Sequence, residues 1–325
     1  MKKTGFLFDE RYLIHDTGPY HPEVSDRLLA AYQGIKKAGL LEKLVLFKGV
    51  RVDLKWVEEV HDADYIARFG DACVAGKKEL DTPDCQMCAE TYEIALLAVG
   101  GILDALRRMM EGEIDNAFCP VRPPGHHAER SRAMGFCYFN NIAIAARYLQ
   151  KEWGIGRVGI VDFDVHHGNG TQHLFEDDPT VFYYSIHEHP SFAFPGTGRE
   201  FEEGVGAGTG YTKNSPVLPG QGDDEYRRLI VRDLIPAFET FRPEVILVST
   251  GFDAHEDDEM ADMRVTTEGF NWIMETIVGL ADTYAGGRLV SILEGGYSLQ
   301  RLPELVGNHV RILLGDPAGA LQKNG

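Results

Sequence analysis

The chain reads as one α/β domain, a mostly parallel sheet with helices on both faces. Three observations predict it. Short β-rich apolar runs alternate with longer stretches of helical periodicity along the whole length. Residues 158–165 are apolar enough to lie at the centre of a parallel sheet, buried on both sides. No Pro/Ser-rich linker, charge block or internal repeat divides the 325 residues, so 1–325 is read as a single domain.

The strand-like runs fall near 4–8, 44–50, 114–120, 158–165, 181–187, 244–250 and 288–293. Between them, 88–110 carries Ile94, Leu97, Ala98, Ile102, Ala105, Leu106 and Met109 at helical spacing and is stopped by Gly112. A second helical pattern, 141–150, is ended by Gly154, and a third is marked by Tyr226, Leu229, Ile230, Ala237, Phe238 and Phe241. A fourth spans 270–284 before Gly286-Gly287, and a last one spans 303–314. The Gly- and Pro-rich stretch 192–222 reads as long ordered loops, which in a compact domain are usually functional.

Ligands at open α/β sheets bind beyond the carboxyl ends of the strands. His126 and His127 follow the run 114–120, Asp164 and His166 end the next, Asp253 follows 244–250, and Tyr297 follows 288–293. Four strands thus deliver reactive groups to one sheet edge. Within 158–165 and just beyond it, Asp162, Asp164 and His166 stand two residues apart and so point to one side of an extended strand. Acids crowded there repel and protonate unless a cation holds them, so a bound divalent metal accounts for the pattern. Solvated acids at a strand end are the plainer alternative, which the paired His166-His167 and the turn Gly168-Asn169-Gly170 disfavour.

Bulk properties narrow the classes. Hydrophobic content of 44 % is that of a folded globular protein, and a net charge of −18 argues against non-specific nucleic-acid binding. The acidic surface suits cationic substrates such as lysine side chains or polyamines. The apolar run Gly5-Phe6-Leu7-Phe8 is cut by Asp9-Glu10 and is too short for a signal peptide. No stretch approaches the roughly 18 apolar residues of a membrane span. Cys73, Cys85, Cys88, Cys119 and Cys137 form no disulfide framework, and the odd count fits a reducing, cytoplasmic compartment. The lone pair Cys85 and Cys88 is read as packing.

Six motifs occur in one order: Arg122-Pro123-Pro124-Gly125-His126-His127; Gly135-Phe136-Cys137-Tyr138-Phe139-Asn140-Asn141; Asp162-x-Asp164-x-His166-His167-Gly168-Asn169-Gly170; Phe194-Pro195-Gly196-Thr197-Gly198; Gly251-Phe252-Asp253; and Glu294-Gly295-Gly296-Tyr297. With His21-Pro22-Glu23 near the start, they make the chain resemble the histone deacetylase family, in its class II-like bacterial branch. The resemblance implies an arginase/deacetylase-like fold of about eight strands, with long loops at the carboxyl strand edge. It implies that Asp164, His166 and Asp253 ligate a catalytic zinc, a donor set that would also suit iron(II). It implies amide hydrolysis, with His127 as general base, His126 beside it, Asp162 orienting His126, Asn169 bonded to His127, and Tyr297 donating to the oxyanion. Gly135, Phe136 and Phe194 match the tunnel around the substrate's methylene chain, Met260 its mouth, and Arg27 an acetate-release channel. The family also binds potassium. Matching positions are Asp162, Asp164, His166, Ser185 and Ile186 for an inner site, and Phe175, Asp178 and Val181 for an outer one.

Other readings stay open. Asp81 or Asp84 matches a rim aspartate. His15, His61, His173 and His309 read as surface or satisfied core groups. His187 and His189 read the same way, with the substrate rim as their alternative, and His255 as a candidate for the entrance. The implied partner is an acetylated lysine peptide, protein or small amine. Met260 resembles general lysine deacylases, whereas the acids Glu256-Asp257-Asp258-Glu259 close by keep an acetylpolyamine amidohydrolase open as the alternative. An arginase-like binuclear manganese hydrolase and a catalytically dead acetyl-amine-binding module complete the alternatives.

Overall fold

Strands β1 (Thr4–Leu7), β2 (Leu44–Phe47), the hairpin β3 (Glu79–Leu80) and β4 (Thr82–Gln86), β5 (Asn116–Cys119), β6 (Val158–Asp162), β7 (Val181–Glu188), β8 (Thr212–Val217), β9 (Val245–Thr250) and β10 (Leu289–Leu293) occur in that order. The computed structural model describes residues 1–316; the nine that complete the single-domain reading of 1–325 lie outside the described residues. Apart from the hairpin, the strands form one sheet ordered β2-β1-β5-β10-β9-β6-β7-β8. Every pairing in it is parallel. The four strands that carry the motif histidines, acids and tyrosine, β5, β10, β9 and β6, are neighbours at its centre.

Among the described residues, ten α-helices pack around the sheet: α1 (Asp26–Lys37), α2 (Leu54–Glu58), α3 (Ala63–Val74), α4 (Thr91–Met110), α5 (Asn141–Trp153), α6 (Asn169–Phe175), α7 (Asp223–Leu229), α8 (Ile235–Phe241), α9 (Thr267–Tyr284) and α10 (Leu302–Leu313). Alternation along the central strands feeds two cores. Val158, Ile160, Val245, Leu247, Val290 and Ile292 face α2 to α5, while Val161, Ile246, Val248, Leu289 and Leu293 face α1 and α7 to α10. Local chemistry sets the ends. The Asn140 side chain accepts from Ala143 N–H to open α5, and Gly154, at φ 66°, closes it in the left-handed region.

The sequence pattern misses several elements. Helix α1 buries Arg27 and Gly34 among its apolar positions, so its stripe is not legible as hydrophobic. Helix α3 runs unbroken through Gly70, a residue that reads in sequence as a helix breaker. Strand β8, Thr-Lys-Asn-Ser-Pro-Val, lies inside the stretch read as loops; it is polar and contains Pro216, tolerated because β8 is an edge strand. The third helical pattern is broken by a π-turn over Ile230–Leu234, next to Pro236, which has no N–H to give.

Strand β6 also ends earlier than residues 158–165 suggest. After Asp162 the carboxylates take over the backbone: Asp162 Oδ1 accepts from Asp164 N–H at 3.2 Å, and Asp164 Oδ1 from His166 N–H at 2.9 Å. These local turns replace ladder bonds. The shared side of Asp162, Asp164 and His166 therefore comes from a curl, not from strand alternation.

Gly34 lies where α1 crosses α10; a Cβ there would meet the Pro303 carbonyl oxygen at 2.0 Å. Exposed Gly279, within α9, has nothing within 4 Å of its Cβ position. Urea denaturation is expected to show Gly34→Ala destabilised by about 1–3 kcal/mol. Gly279→Ala is expected to gain about 0.5–1 kcal/mol from helix propensity.

Candidate active site and metal centre

The carboxyl ends of β5, β6, β9 and β10 enclose a cavity of about 180 Å³ lined by His126, His127, His166, Phe136, Phe194, Met260 and Tyr297, with Asp84 at its edge. A larger groove of about 900 Å³ opens at the opposite strand ends, around Tyr211 and Phe241, and holds none of these groups. The motif histidines and Tyr297 therefore gather at the smaller cavity.

Among the described residues, Asp164, His166 and Asp253 form one group whose ligand atoms lie within 4.8 Å of one another. His166 Nδ1 is 3.2 Å from Asp164 Oδ1 and 3.3 Å from Asp253 Oδ2. Asp164 Oδ2 accepts from Gly295 N–H at 2.7 Å, and Asp253 Oδ1 from Val165 N–H at 3.0 Å. Asp253 Oδ2 is buried, with the His166 ring nitrogen 3.3 Å away and no well-formed hydrogen bond. Glycines make room for both acids: a Cβ on Gly251 would lie 2.2 Å from Asp164 Oδ2, and one on Gly295 2.0 Å from Asp253 Oδ2. Burial and the charge of Asp164 push Asp253 up to about 6. Burial would lower His166, but its bonds to Asp164 and Asp253 hold it up to about 10. Two buried acids and an imidazole whose ligand atoms lie this close fit a divalent cation, which would balance the same charge.

The adjacent histidines are pushed in opposite directions. His126 Nδ1 donates to Asp162 Oδ2 at 3.1 Å. Although burial disfavours its charge, Asp162, Asp164 and Glu294 raise it to about 10. His127 is held well below the usual range by burial and by the nearby His126 and His166. Its Nδ1 meets Asn169 Oδ1 at 2.8 Å, while Asn169 Nδ2 donates to Glu129 Oε1 at 2.5 Å. Glu129 thus turns the amide so that its oxygen faces His127, which leaves Nε2 of a neutral ring free to accept a proton. Glu129 lies outside the six motifs and carries no signal of its own in the sequence.

Tyr297 sits on an irregular segment after β10, with Gly296 before it at φ 112°. The Arg27 guanidinium lies 4.7 Å from its ring centre and donates to the carbonyls of Gly296 and Glu294. Burial raises the phenol well above its ordinary value, so it stays a donor. Beneath it, fully buried Glu23 pairs with both Arg27 and Arg122, at 3.0 and 2.5 Å. Arg27 therefore supports the Tyr297 loop, and the Glu23–Arg122 pair that supports Arg27 went unread in the sequence, as did buried Glu294, which accepts from Gly125 and His126 N–H.

Phe136 and Phe194 both line the cavity, and Phe194 remains 43 % exposed at its mouth. Phe136 is at φ 68°, directly after Gly135, where a Cβ would collide with the His127 ring at 2.3 Å. Of the two rim acids, Asp84 reaches the cavity and accepts from Gly135 N–H at 2.8 Å, whereas Asp81 pairs with Arg68. His187 is buried between Ser185 Oγ and the Gly198 carbonyl, and buried His255 packs near Thr267, so neither lines the cavity. His15, His61 and His309 are buried and bonded to Thr91, Asn140 N–H and Ser291, and His173 pairs with Glu129. At the inner potassium positions Ser185 Oγ bonds His187 Nδ1; at the outer ones Asp178 pairs with Arg147 and Asp178 N–H donates to the Phe175 carbonyl.

Comparison with known proteins matches a histone deacetylase domain over residues 21–313. A probable deacetylase of Archaeoglobus fulgidus is 38 % identical over 91 % of this chain and 82 % of its own length. A histone deacetylase-like amidohydrolase of Pseudomonas aeruginosa is 36 % identical over 93 % of this chain and 83 % of its own. A human polyamine deacetylase is 37 % identical over 95 % of this chain, which spans about half of that protein (47 %). The crystal structure of the HDA15 HD domain superposes with a TM-score of 0.92 at 33 % identity, over 98 % of this chain and 90 % of that one.

Despite its burial, Glu23 is held below the usual carboxylate range by Arg122 and Arg27. A depressed carboxylate contributes stability above its unfolded value and loses it as pH falls through the folded one. Acid unfolding is therefore expected to draw on Glu23 only below about pH 4.5. Glu23→Gln is expected to cost about 3–5 kcal/mol at pH 7, by leaving two buried cations without their anion, and to flatten that acid limb in denaturant titrations.

Proposed function

The chain belongs to the histone deacetylase family, and from that premise we propose that it is a zinc-dependent amidohydrolase. It removes acetyl or other acyl groups from N-acetyl-lysine side chains or related acylated amines. The observation that carries this reading is one cavity that His126, bonded to Asp162, and His127, bonded to Asn169, share with Tyr297 and the Asp164, His166, Asp253 cluster.

Asp164, His166 and Asp253 hold the cation, zinc or, given the oxygen-rich donor set, iron(II). When bound, it supplies Lewis acidity toward the acyl carbonyl and toward water. His127 Nε2 takes the proton as water attacks, with Nδ1 held by Asn169. His126, charged and fixed by Asp162, steadies the developing negative charge and serves as proton source for the departing amine. Tyr297 donates its hydroxyl hydrogen to the oxyanion. Phe136 and Phe194 flank the methylene chain, Gly135 leaves it room, and Met260 and Asp84 meet the substrate at the mouth. The acetate channel beside Arg27 and the potassium positions (Asp162, Asp164, His166, Ser185, Ile186; Phe175, Asp178, Val181) belong to the same proposal.

Met260 favours lysine over polyamine substrates, because no carboxylate replaces it at the mouth, and Glu256 and Glu259 point to solvent outside the cavity. The human relative named a polyamine deacetylase supports the second reading. A cytoplasmic location is supported by the five free cysteines; no helix among the described residues is long and apolar enough to cross a membrane.

Tyr297→Phe is expected to lower kcat on an acetyl-lysine reporter by ~10²–10³. His127→Ala is expected to abolish turnover; unchanged rates in both would sink the mechanism. Elemental analysis is expected to find one divalent ion per chain, lost in Asp253→Asn; two per chain would favour a binuclear hydrolase. Side-by-side kcat/KM values for acetyl-lysine peptides, acetylated putrescine or spermidine and longer acyl-lysines decide the substrate class. A ratio of ~100-fold in favour of peptides, about 2.7 kcal/mol, is expected.

A further inference from the structure

The Tyr297 segment has no regular secondary structure, yet its phenol must hold one position against the cavity. Its carbonyls are gripped from below by Arg27, and Gly295 N–H is taken by Asp164. The N–H groups of Tyr297 and Ser298 themselves go elsewhere. Both donate to one oxygen, Asp258 Oδ2, at 2.6 and 2.9 Å. Asp258 is 5 % exposed, and its other oxygen accepts from Met260 N–H at 3.1 Å. One buried carboxylate thus ties the backbone of the cavity's tyrosine to that of the residue across the mouth.

We propose that Asp258 is the positioning residue of the site, which sets Tyr297 for the oxyanion and couples it to the Met260 rim; this rests on the reading of Tyr297 as oxyanion donor. Charged hydrogen bonds to backbone N–H groups are short and strong, and a carboxylate buried at this depth persists only when so bonded. Its two oxygens are divided: Oδ2 serves the tyrosine loop, Oδ1 the rim. Neighbouring Asp257 is exposed and bonds Arg301, so it carries the same charge without touching either loop. A misplacement of about 1 Å at a reacting group costs on the order of 10²-fold, which bounds what the loss of this clamp does.

The test uses the full-length, metal-loaded protein. Asp258→Ala is expected to lower kcat by ~10–100-fold with KM changed less than about threefold, and to leave metal content at the wild-type value. Asp257→Ala is expected to keep kcat within about twofold. Asp258→Asn, which keeps one acceptor oxygen for the two loop N–H groups, is expected to recover part of the loss. The discriminating measurement is a double-mutant cycle: in a Tyr297→Phe background, Asp258→Ala is expected to cost less than about twofold, since the group it positions is gone. An equal loss in both backgrounds would overturn the positioning role. Absence of turnover by the wild type on every acylated amine would instead overturn the function. Exchange of the Tyr297 and Ser298 amide hydrogens judges the clamp apart from activity. Protection is expected in the wild type and a fall of at least ~10-fold in Asp258→Ala; equal protection in both would refute it.

Discussion

Four carboxylates, Asp162, Asp164, Asp253 and Glu294, are buried where the central strands end, and the rest of the site answers to that concentration of negative charge. Buried acids persist only if every lone pair finds a donor or a cation. Asp162 is met by His126 and the Tyr183 hydroxyl, Glu294 by the N–H groups of Gly125 and His126 and by Ser249, Asp164 by Gly295 N–H and His166. Among these oxygens Asp253 Oδ2 alone makes no well-formed hydrogen bond, its neighbour being the His166 ring nitrogen at 3.3 Å. That is the strongest structural argument for a metal centre, because it comes from what the protein fails to satisfy by itself.

The same charge explains why two neighbouring histidines differ. His126 faces the acids and is drawn toward its charged form; His127, turned toward Asn169 and crowded by His126 and His166, is kept neutral. One is thereby suited to hold a proton and the other to receive one. Their difference arises from neighbours, since the two side chains are chemically identical and share a turn.

Irregular backbone around the cavity is held by side chains rather than by ladders. Carboxylates grip N–H groups at Gly125, Gly135, Gly295, Tyr297 and Ser298, from Glu294, Asp84, Asp164 and Asp258. Gly295, and Gly251 nearby, are glycines because the acids approach too closely for a Cβ; at Gly135 the His127 ring leaves no room. Loops placed this way need no secondary structure to be well determined, and many acids at this edge are therefore not in the cavity at all.

The alternation of strands and helices, and the strand ends at which histidines and acids gather, are legible along the chain. Those features rest on periodicity and on clustered histidines and acids, which are local along the chain. Helix α1, strand β8 and the end of β6 were legible only in three dimensions, because Arg27 with Glu23, Asn214 with Gln172, and Asp162 with Asp164 N–H are satisfied by partners that a hydrophobic pattern does not record. Tertiary structure likewise chose Asp84 over Asp81 and turned His187 and His255 away from the cavity. The direction of a polar side chain depends on which distant donor reaches it, and distance along the chain says nothing of that.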